Sequence, residues 1–325
     1  MPEKKVIVVL GGGGFIGSHL CRRFLDEGCR VVCVDNFVTG NRENLAPLAD
    51  RRGFELVEAD IADGLDVAGP VDAVLHFASL ASPVSYLTFP VETLKSGSIG
   101  TFHALNLAQE KHARFLMAST SEVYGDPLVN PQPESYWGNV NPIGPRACYD
   151  ESKRFSEAAA SVYGEALGVN VGILRIFNTF GPLMRIDDGR VIPNLISQAL
   201  SGAPLTVAGN GSQTRSFCYI DDLVEGIVRA TRSSVRGPIN LGNPNEMSIL
   251  QAAQHILNLT GSDSEINFVP LPTDDPHIRR PDISLAYKEL DWTPEIEFID
   301  GLSRMIAWVR AVTAGRGLHE ASAGV

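Results

Sequence analysis

The chain has 325 residues, of which 44% are hydrophobic and 20% are charged, and its formal net charge is -11. This acidity argues against general affinity for nucleic acid or for anionic membranes, although a local arginine cluster can still hold a small anion. No stretch approaches the ~20 apolar residues of a membrane span, and the early first strand leaves no room for a cleavable signal. Five scattered cysteines without a C-x-x-C pair predict reduced thiols, a cytoplasmic location and no metal site.

Strand and helix patterns alternate through the first half of the chain. Several of the short β-branched runs are apolar throughout, as expected for parallel strands buried on both faces. The alternation predicts an α/β fold with a doubly wound parallel Rossmann sheet. The predicted strands span residues 6–10, 30–34, 54–59, 71–77, 114–118 and 170–176, and the predicted helices span residues 15–27, 91–112 and 149–167.

The second half is denser in proline and glycine and its elements are shorter. We expect residues 1–182, with returning segments at about 218–243, to form the Rossmann domain. Residues 183–217 and 244–313 are expected to form a smaller α/β lobe over the carboxyl edge of the sheet, and residues 314–325 a flexible tail. Short strands are predicted at 204–207 and 266–269, helices at 193–201, 248–259 and 298–311, and the return to the sheet at 220–230 and 238–241.

The turn after the first predicted strand contains Gly11, Gly14 and Gly17, and a helix follows directly. Glycines there permit a tight turn, close approach of the backbone to a pyrophosphate, and close packing of the helix on the strand. Asp35 closes the second strand, where a carboxylate accepts hydrogen bonds from an adenosine ribose and repels a 2′-phosphate. The context predicts an NAD site rather than an NADP site, whereas the glycines alone would also be typical of a turn without function.

A second carboxylate, that of Asp60, stands at the end of the third predicted strand and is followed by Ile61. Its side chain can meet the adenine amine of a bound dinucleotide. It can equally cap the end of the strand, and the sequence leaves both interpretations open.

Tyr149 and Lys153 are four residues apart, so on a helix they share one face. A tyrosine with a pKa of ~10 is a poor base at neutral pH. A nearby ammonium group and a positive nicotinamide ring would lower that pKa and make the phenolate accessible. The spacing alone is typical of many surface helices, but after a Rossmann half it predicts a proton-transfer pair.

A polar segment follows the fifth predicted strand, at the sheet edge where open α/β folds place their chemistry. Thr120 can donate a hydrogen bond to the oxygen that Tyr149 deprotonates, and Glu122 can serve as a second acid or base. The same residues are also typical of a cluster that caps the start of a helix. Both roles are compatible.

These motifs resemble the extended short-chain dehydrogenase/reductase family and, within it, the UDP-glucuronate decarboxylases. The resemblance extends from Val6 to about Ala311, and long runs are more specific than the glycine motif. The most specific runs are residues 119–127 (STSEVYGDP), 136–145 (YWGNVNPIGP), 176–182 (IFNTFGP), 211–217 (GSQTRSF) and 279–283 (RRPDI).

The resemblance implies an NAD-dependent enzyme that decarboxylates UDP-glucuronate, or a related UDP-sugar, to UDP-xylose through a UDP-4-keto intermediate. Tyr149 is implied to take the proton of the sugar 4-hydroxyl while hydride leaves C4, to which it later returns. The C6 carboxylate is then β to a ketone and departs as carbon dioxide. Residues matching Glu122 and Arg279 assist decarboxylation or reprotonation, and Ser121 and Tyr86 line the carboxylate end.

The resemblance also implies a homodimer that is paired through the helices at 91–112 and 149–167. It further implies which residues form the active site. The implied catalytic residues are Thr120, Ser121, Glu122, Tyr149, Lys153 and Arg279. The expected cofactor residues are Gly11, Gly14, Phe15, Ile16, Gly17, Asp35, Asn36, Phe37, Thr39, Gly40, Asp60, Ile61, Phe77, Ala78, Ser79, Ser119, Tyr149, Lys153 and Phe177. The expected substrate residues are Tyr86, Lys95, Glu122, Asn178, Arg190, Val191, Gln213, Arg215 and Arg279.

Three alternatives stay open. A nucleotide-sugar 4,6-dehydratase needs an acid to expel a hydroxyl and carries Asp-Glu where this chain has Ser121-Glu122, so dehydration is disfavoured. A UDP-glucuronate 4-epimerase or another epimerase usually lacks this glutamate. A non-catalytic NAD-sensing protein on the same fold would need no Thr120–Tyr149–Lys153 set. One departure from the decarboxylases is Leu183, where they usually have an arginine that Arg185 is placed to replace.

Overall fold

The computed structural model describes residues 4–187, 189–271, 276 and 278–322. The strands are β1 (Val6–Leu10), β2 (Arg30–Asp35), β3 (Phe54–Glu58), β4 (Ala73–His76), β5 (Arg114–Thr120), β6 (Val171–Ile176), β7 (Thr179–Phe180), β8 (Leu205–Ala208), β9 (Thr214–Ser216), β10 (Cys218–Tyr219), β11 (Ile239–Leu241), β12 (Glu246–Ser248) and β13 (Ile266–Val269). The helices are α1 (Phe15–Asp26), α2 (Pro83–Thr88), α3 (Pro90–Lys95), α4 (Thr101–Glu110), α5 (Ala147–Ala166), α6 (Val191–Ser201), α7 (Ile220–Arg232), α8 (Ile249–Thr260), α9 (Ser284–Leu290) and α10 (Phe298–Ser322).

The central sheet is parallel and has the strand order β3-β2-β1-β4-β5-β6-β11. It confirms the predicted doubly wound α/β fold. Every residue of β1 is buried, with Ile7 and Val9 in the core on one face and Val8 and Leu10 in the core on the other, because side chains alternate along a strand. The strand order reverses between β1 and β4, so the carboxyl ends of these two strands open a crevice for a ligand.

The chain leaves this sheet after β6 and returns to it with α7 and β11, as the sequence predicts. β11 pairs in parallel with β6, and Ile239 lies opposite Leu174. Helix α7 buries Leu223 and Ile227 against the core on one face of the sheet. β11 therefore forms the edge of the central sheet beside β6.

A smaller set of paired strands lies outside the main sheet. β8 pairs in parallel with β13, β9 pairs antiparallel with β12, and β7 pairs in parallel with β10. Helices α6 and α8 pack against each other and against β8. These elements carry several of the residues expected to bind the substrate, because Arg215 lies on β9 and Val191 begins α6.

Three features differ from the sequence-based expectations. The helix predicted at 91–112 is interrupted by a π-helical turn at Ser96–Gly100, where the side chains of Thr101 and Ser156 donate hydrogen bonds to the Gly97 carbonyl oxygen (3.0 and 2.6 Å). Helices α2 and α9 were not predicted. Helix α10 extends to Ser322, beyond the predicted end at 311; residues 323–325 of the predicted tail lie outside the described residues, and its flexibility stays a prediction.

The described residues contain neither a candidate membrane-spanning helix nor a candidate metal cluster. Within them, no helix combines the length and the apolar character that crossing a membrane requires. Among the same described residues, no group of three or more His, Cys, Asp or Glu side chains is arranged to hold a metal ion.

Arg114 ties the returning segment to the sheet, and its replacement tests that tie. The buried guanidinium donates hydrogen bonds to the carbonyl oxygens of Val171 (2.7 Å) and Val235 (2.6 Å). Arg114→Leu leaves these buried acceptors without their donor, at a cost of about 1–3 kcal/mol each. We expect a melting temperature at least ~5 °C lower, measured by circular dichroism. Arg30→Leu, which removes an exposed pair with Glu55, is the control, and an equal loss in both variants would contradict the role of Arg114.

Candidate active site

A cavity of about 530 Å³ opens at the carboxyl ends of the central strands and continues toward α6, β8 and β9. It brings together most of the residues that the sequence predicts for cofactor, catalysis and substrate. Those in its wall are Gly11, Gly14, Phe15, Ile16, Gly17, Thr39, Phe77, Ser79, Tyr86, Ser119, Thr120, Ser121, Glu122, Tyr149, Lys153, Phe177, Asn178, Arg190, Val191, Gln213, Arg215 and Arg279.

The glycine turn forms one end of the cavity. Gly11 has a φ of +80°, and a Cβ atom there would lie 2.6 Å from the Ala78 backbone nitrogen. A Cβ atom at Gly17 would lie 2.1 Å from the Gly11 carbonyl oxygen, so neither position has room for a side chain. Helix α1 begins at Phe15 without a side-chain cap, and its first amides are therefore available to an anionic ligand.

Asp35 lies behind this turn at the end of β2. It is buried, and its carboxylate accepts hydrogen bonds from the backbone amides of Gly13 (2.8 Å) and Phe37 (2.7 Å). Burial raises the pKa of Asp35, while these two amides lower it in part. Asp35 thus holds the glycine turn in place, and its contact with a ribose stays a prediction.

The remaining predicted adenosine residues lie beyond the described cavity wall. Asp60 accepts a hydrogen bond from the Asn36 side chain (2.9 Å) and caps the turn that follows β3 through the Ala62 amide (2.8 Å). The capping interpretation of Asp60 is thus present in the structure, and its adenine contact stays a prediction. The predicted cofactor residues that are absent from the described cavity wall are Asp35, Asn36, Phe37, Gly40, Asp60, Ile61 and Ala78.

Lys95 is one of the expected substrate residues. It ends α3 and its side chain is exposed. It is absent from the cavity wall as far as the described residues define it. Its contact with a substrate therefore stays a prediction.

The proton-transfer pair lies at the centre of the cavity, on α5. Tyr149 is buried beside Thr120, whose hydroxyl forms a hydrogen bond with the phenol oxygen. The Lys153 ammonium donates to the Ala118 carbonyl oxygen (2.8 Å) and lies 5.9 Å from the Tyr149 ring centre. Helical spacing and the end of β5 therefore bring these groups together as predicted.

Burial shifts the pKa values of both members of this pair. It raises the pKa of Tyr149 to about 12, and the Thr120 hydroxyl lowers it only in part. Burial also lowers the pKa of Lys153 to about 8. The lowering of the Tyr149 pKa that Lys153 and a bound nicotinamide ring are expected to cause together stays a prediction.

Glu122 lies beside Tyr149 and is held between two guanidinium groups. Arg146 donates to one carboxylate oxygen (2.7 Å) and Arg279 donates to the other. Burial by itself would raise the pKa of Glu122, but Arg279 and Arg146 outweigh it and hold the pKa at about 2. The carboxylate is therefore ionised at neutral pH and forms the centre of a buried ion cluster.

Sequence reasoning missed two members of this cluster, Arg146 and Asp150. Arg146 directly precedes α5, and its guanidinium carbon lies 6.0 Å from the ring centre of Tyr86, which stacks on Tyr149 at 5.2 Å. Asp150 follows one helical turn later and is only 6% exposed. The available signal was helical spacing, because residues 146, 149, 150 and 153 cover one side of a helix.

Leu183, the departure from the related decarboxylases, also lines the cavity, with a φ of +68°. Its carbonyl oxygen accepts a hydrogen bond from the Asn44 side chain (3.3 Å). Arg185 stands in the same wall and pairs with Asp187 (3.1 Å). An arginine is therefore retained on this side of the cavity, two residues beyond the usual position.

Residues 7–242 match the model of a family described as the NAD dependent epimerase/dehydratase family. The chain belongs to this family. It is 49% identical over 308 residues to UDP-glucuronic acid decarboxylase 1 of Xenopus tropicalis, a match that covers 95% of the chain and 73% of that protein.

Solved structures of the same fold include enzymes of related chemistry. The dTDP-glucose 4,6-dehydratase DesIV of Streptomyces venezuelae, with NAD bound, superposes with a TM-score of 0.86 at 28% identity. The match covers 94% of this chain and 97% of that one. The UDP-glucuronic acid 4-epimerase of Bacillus cereus, in complex with UDP-glucuronic acid and NAD, superposes with a TM-score of 0.83 at 28% identity, over 94% of this chain and 99% of that one.

The residues of this family member fit NAD. The tight glycine turn has no room for side chains, the start of α1 offers free amides, and the Ser79 hydroxyl is buried without a hydrogen-bond partner among the described residues. A buried hydroxyl that is unpaired in this way is suited to a polar ligand in the cavity wall. Gly11, Gly17, Ser79 and Lys153 are the residues that would hold the dinucleotide.

We expect Asp150 to make the stability of the fold depend on pH. Burial and Glu122 raise its pKa to about 7, against the opposing effect of Arg146 and Arg279. Because the folded state keeps a proton that the unfolded state has lost, stability falls as pH rises from the unfolded value toward 7. We expect Asp150→Asn to remove this loss, so that its melting temperature relative to the wild type rises by about 2 °C or more between pH 5 and pH 8. Glu151→Gln, on the same helix, is the control, and a pH-independent difference for Asp150→Asn would refute the assignment.

Proposed function

We propose that this family member is an NAD-dependent UDP-glucuronate decarboxylase, which forms UDP-xylose through a UDP-4-keto intermediate. The observation that carries the proposal is the ion cluster of Glu122, Arg146 and Arg279 directly beside Tyr149 and Thr120. A base next to paired guanidinium groups suits a substrate that has both a sugar hydroxyl and a carboxylate. The 49% identity to a curated UDP-glucuronic acid decarboxylase supports the same reaction.

Tyr149 takes the proton of the sugar 4-hydroxyl in this proposal, and Thr120 donates to the phenol oxygen that receives it. When bound, NAD would supply the acceptor and later the donor of the C4 hydride, together with the positive charge of its nicotinamide ring. Lys153 is the buried cation that favours the phenolate once the site is filled. Tyr149 returns its proton to the sugar oxygen when C4 is reduced again.

The arginines act on the carboxylate end of the sugar. Once C4 is a ketone, the C5–C6 bond breaks and its electron pair delocalises into the C4 carbonyl, so carbon dioxide leaves readily. Arg279 and Arg146 orient the C6 carboxylate by charge-assisted hydrogen bonds. Because Glu122 already occupies both guanidinium groups, the incoming carboxylate must share them with it.

The diphosphate end is assigned to the smaller lobe. Arg215 is buried on β9 and donates to the Thr214 carbonyl oxygen (2.8 Å), and Arg190 precedes the first turn of α6, whose amides favour anions. Gln213 lies between them and the sugar in this proposal. We divide the chain accordingly, with residues 1–182 and about 218–243 holding NAD, and residues 183–217 and 244–313 holding the sugar nucleotide.

We further propose a cytoplasmic homodimer. All five cysteines are free thiols, which suits a reducing compartment. Helices α4 and α5 present a shared apolar face on which Phe102 contacts Phe155 at 5.5 Å between ring centres, and Val162 is 58% exposed. Apolar faces of this kind mark interaction sites, and a second copy of the chain can cover this one symmetrically.

The reaction is tested by incubating the NAD-loaded protein with UDP-glucuronate and identifying the products by mass spectrometry. We expect a product lighter by one carbon dioxide. A product of unchanged mass and altered sugar stereochemistry would establish the 4-epimerase instead, and no turnover of any nucleotide sugar would leave the NAD-sensing protein. Tyr149→Phe should lower the rate by at least ~10²-fold because the base is lost, whereas Tyr287→Phe, at an exposed tyrosine, should retain it.

The dimer is tested by light scattering coupled to size-exclusion chromatography. The wild type should have twice the mass of one chain. Val162→Glu places a charge in the apolar face of α5 and should yield monomers, since burying that charge in an interface is costly. Phe268→Glu changes an equally exposed apolar residue outside that face and should leave the mass unchanged; a monomeric wild type would refute the dimer.

A further inference from the structure

The proposed decarboxylation, on which this inference rests, consumes one proton in every turnover. The C5–C6 bond breaks, its electron pair passes to the C4 oxygen through a new C4–C5 double bond, and carbon dioxide leaves. C5 must then take up a proton as the electron pair returns. The proton that Tyr149 removed belongs to the 4-hydroxyl and goes back to it, so the C5 proton has another source.

The obvious acids of the cluster do not hold such a proton. Glu122 is ionised between its two guanidinium groups, and its pKa is about 2. Arg146 and Arg279 do not release protons at neutral pH. Lys153 donates to the Ala118 carbonyl oxygen (2.8 Å) and serves the other side of Tyr149. A source is needed that is protonated near neutral pH and lies next to Glu122.

Asp150 meets these requirements, because its charge interacts with that of Glu122 and its pKa is raised to about 7. It stands one helical turn after Arg146 on α5 and is 6% exposed. Its Oδ1 atom is buried and has no hydrogen-bond partner among the described residues, so this oxygen has room for a proton. The titratable and charged groups that face it are Tyr86 from α2, Glu122 from the turn after β5, Arg279 from the segment before α9, and Arg146, Cys148, Tyr149 and Glu151 from its own helix or its start.

The charge of the cluster links this proton to the substrate. Glu122, Arg146 and Arg279 together carry one net positive charge, which an ionised Asp150 cancels. A substrate carboxylate that enters the cluster adds one negative charge in a buried place. Three carboxylates, those of the substrate, Glu122 and Asp150, then interact with the same two guanidinium groups. The carboxylate that is least well paired is driven to take up a proton.

We propose that Asp150 takes up a proton when the substrate carboxylate binds, and that this proton passes through Glu122 to C5 after carbon dioxide has left. Loss of the carboxylate as a neutral molecule removes the charge that held the proton on Asp150. Glu122, which lines the cavity where Asp150 does not, holds a proton weakly and therefore passes it on readily. Asp150 ends the cycle ionised and is protonated again from solvent with the next substrate. It is a positioning residue for the proton, acting through Glu122.

The first test measures proton uptake on binding. UDP-glucuronate is titrated by calorimetry into NAD-loaded Tyr149→Phe protein, whose turnover is expected to be at least ~10²-fold slower, in two buffers of different ionisation enthalpy at pH 7.5. We expect uptake of more than about half a proton per site, none with UDP-glucose, which has no carboxylate, and none in Tyr149→Phe/Asp150→Asn. Tyr149→Phe/Glu151→Gln is the matched control and should keep the uptake. No uptake in Tyr149→Phe, or undiminished uptake without Asp150, overturns the proposal.

The second test follows carbon dioxide release and product formation against pH in otherwise unmodified enzyme. Asp150→Asn should be slower by ~10²-fold and should lose the fall in rate at alkaline pH that depletion of the proton causes. Asp150→Glu, which keeps a carboxyl group, should restore that pH profile, and this distinguishes proton supply from a merely structural role. If the wild type releases no carbon dioxide, the proposed function fails; if it does and the Asp150→Asn profile is unchanged, only the role of Asp150 fails.

Discussion

Burial of Glu122 between two guanidinium groups is the interaction on which the site depends. Its partners come from distant parts of the chain: Arg146 directly precedes α5, and Arg279 lies just before α9. Three charges removed from water are costly unless each is paired, and taking away one partner strands the others. The cluster can therefore form only when the central sheet with α5 and the segment before α9 are both in place. This dependence makes the cavity a product of the whole fold and not of one motif.

The fold could largely be predicted because its signals are local. Parallel strands such as β1 are apolar on both faces, and their alternation with amphipathic helices identifies a doubly wound sheet. The glycine turn is equally local, since Gly11 and Gly17 lie where a side chain would collide with the backbone. The return of β11 to the sheet was also visible, as a short apolar run after a strongly amphipathic helix. Each of these features follows from spacing within a few residues.

The parts that sequence reasoning missed depend on contacts between distant segments. The π-helical turn after α3 includes a hydrogen bond that the Ser156 hydroxyl donates to the Gly97 carbonyl oxygen, and these two residues lie 59 residues apart. Asp150 looked like an ordinary helix residue in the sequence. The groups that shift its pKa include Glu122 and Arg279, which come from other elements of the fold. Proximity in space without regular spacing leaves no local pattern to detect.

The same burial acts on four ionisable groups of the site in different directions. It raises the pKa of Tyr149 to about 12 and that of Asp150 to about 7, and it lowers that of Lys153 to about 8. Glu122 departs from this trend, because two cations outweigh its burial. The site at rest therefore holds a protonated phenol and an ionised glutamate within one cluster. Groups whose pKa values are driven apart in this way divide the acid and base roles between them, and here the division depends on which of the carboxylates the two arginines contact.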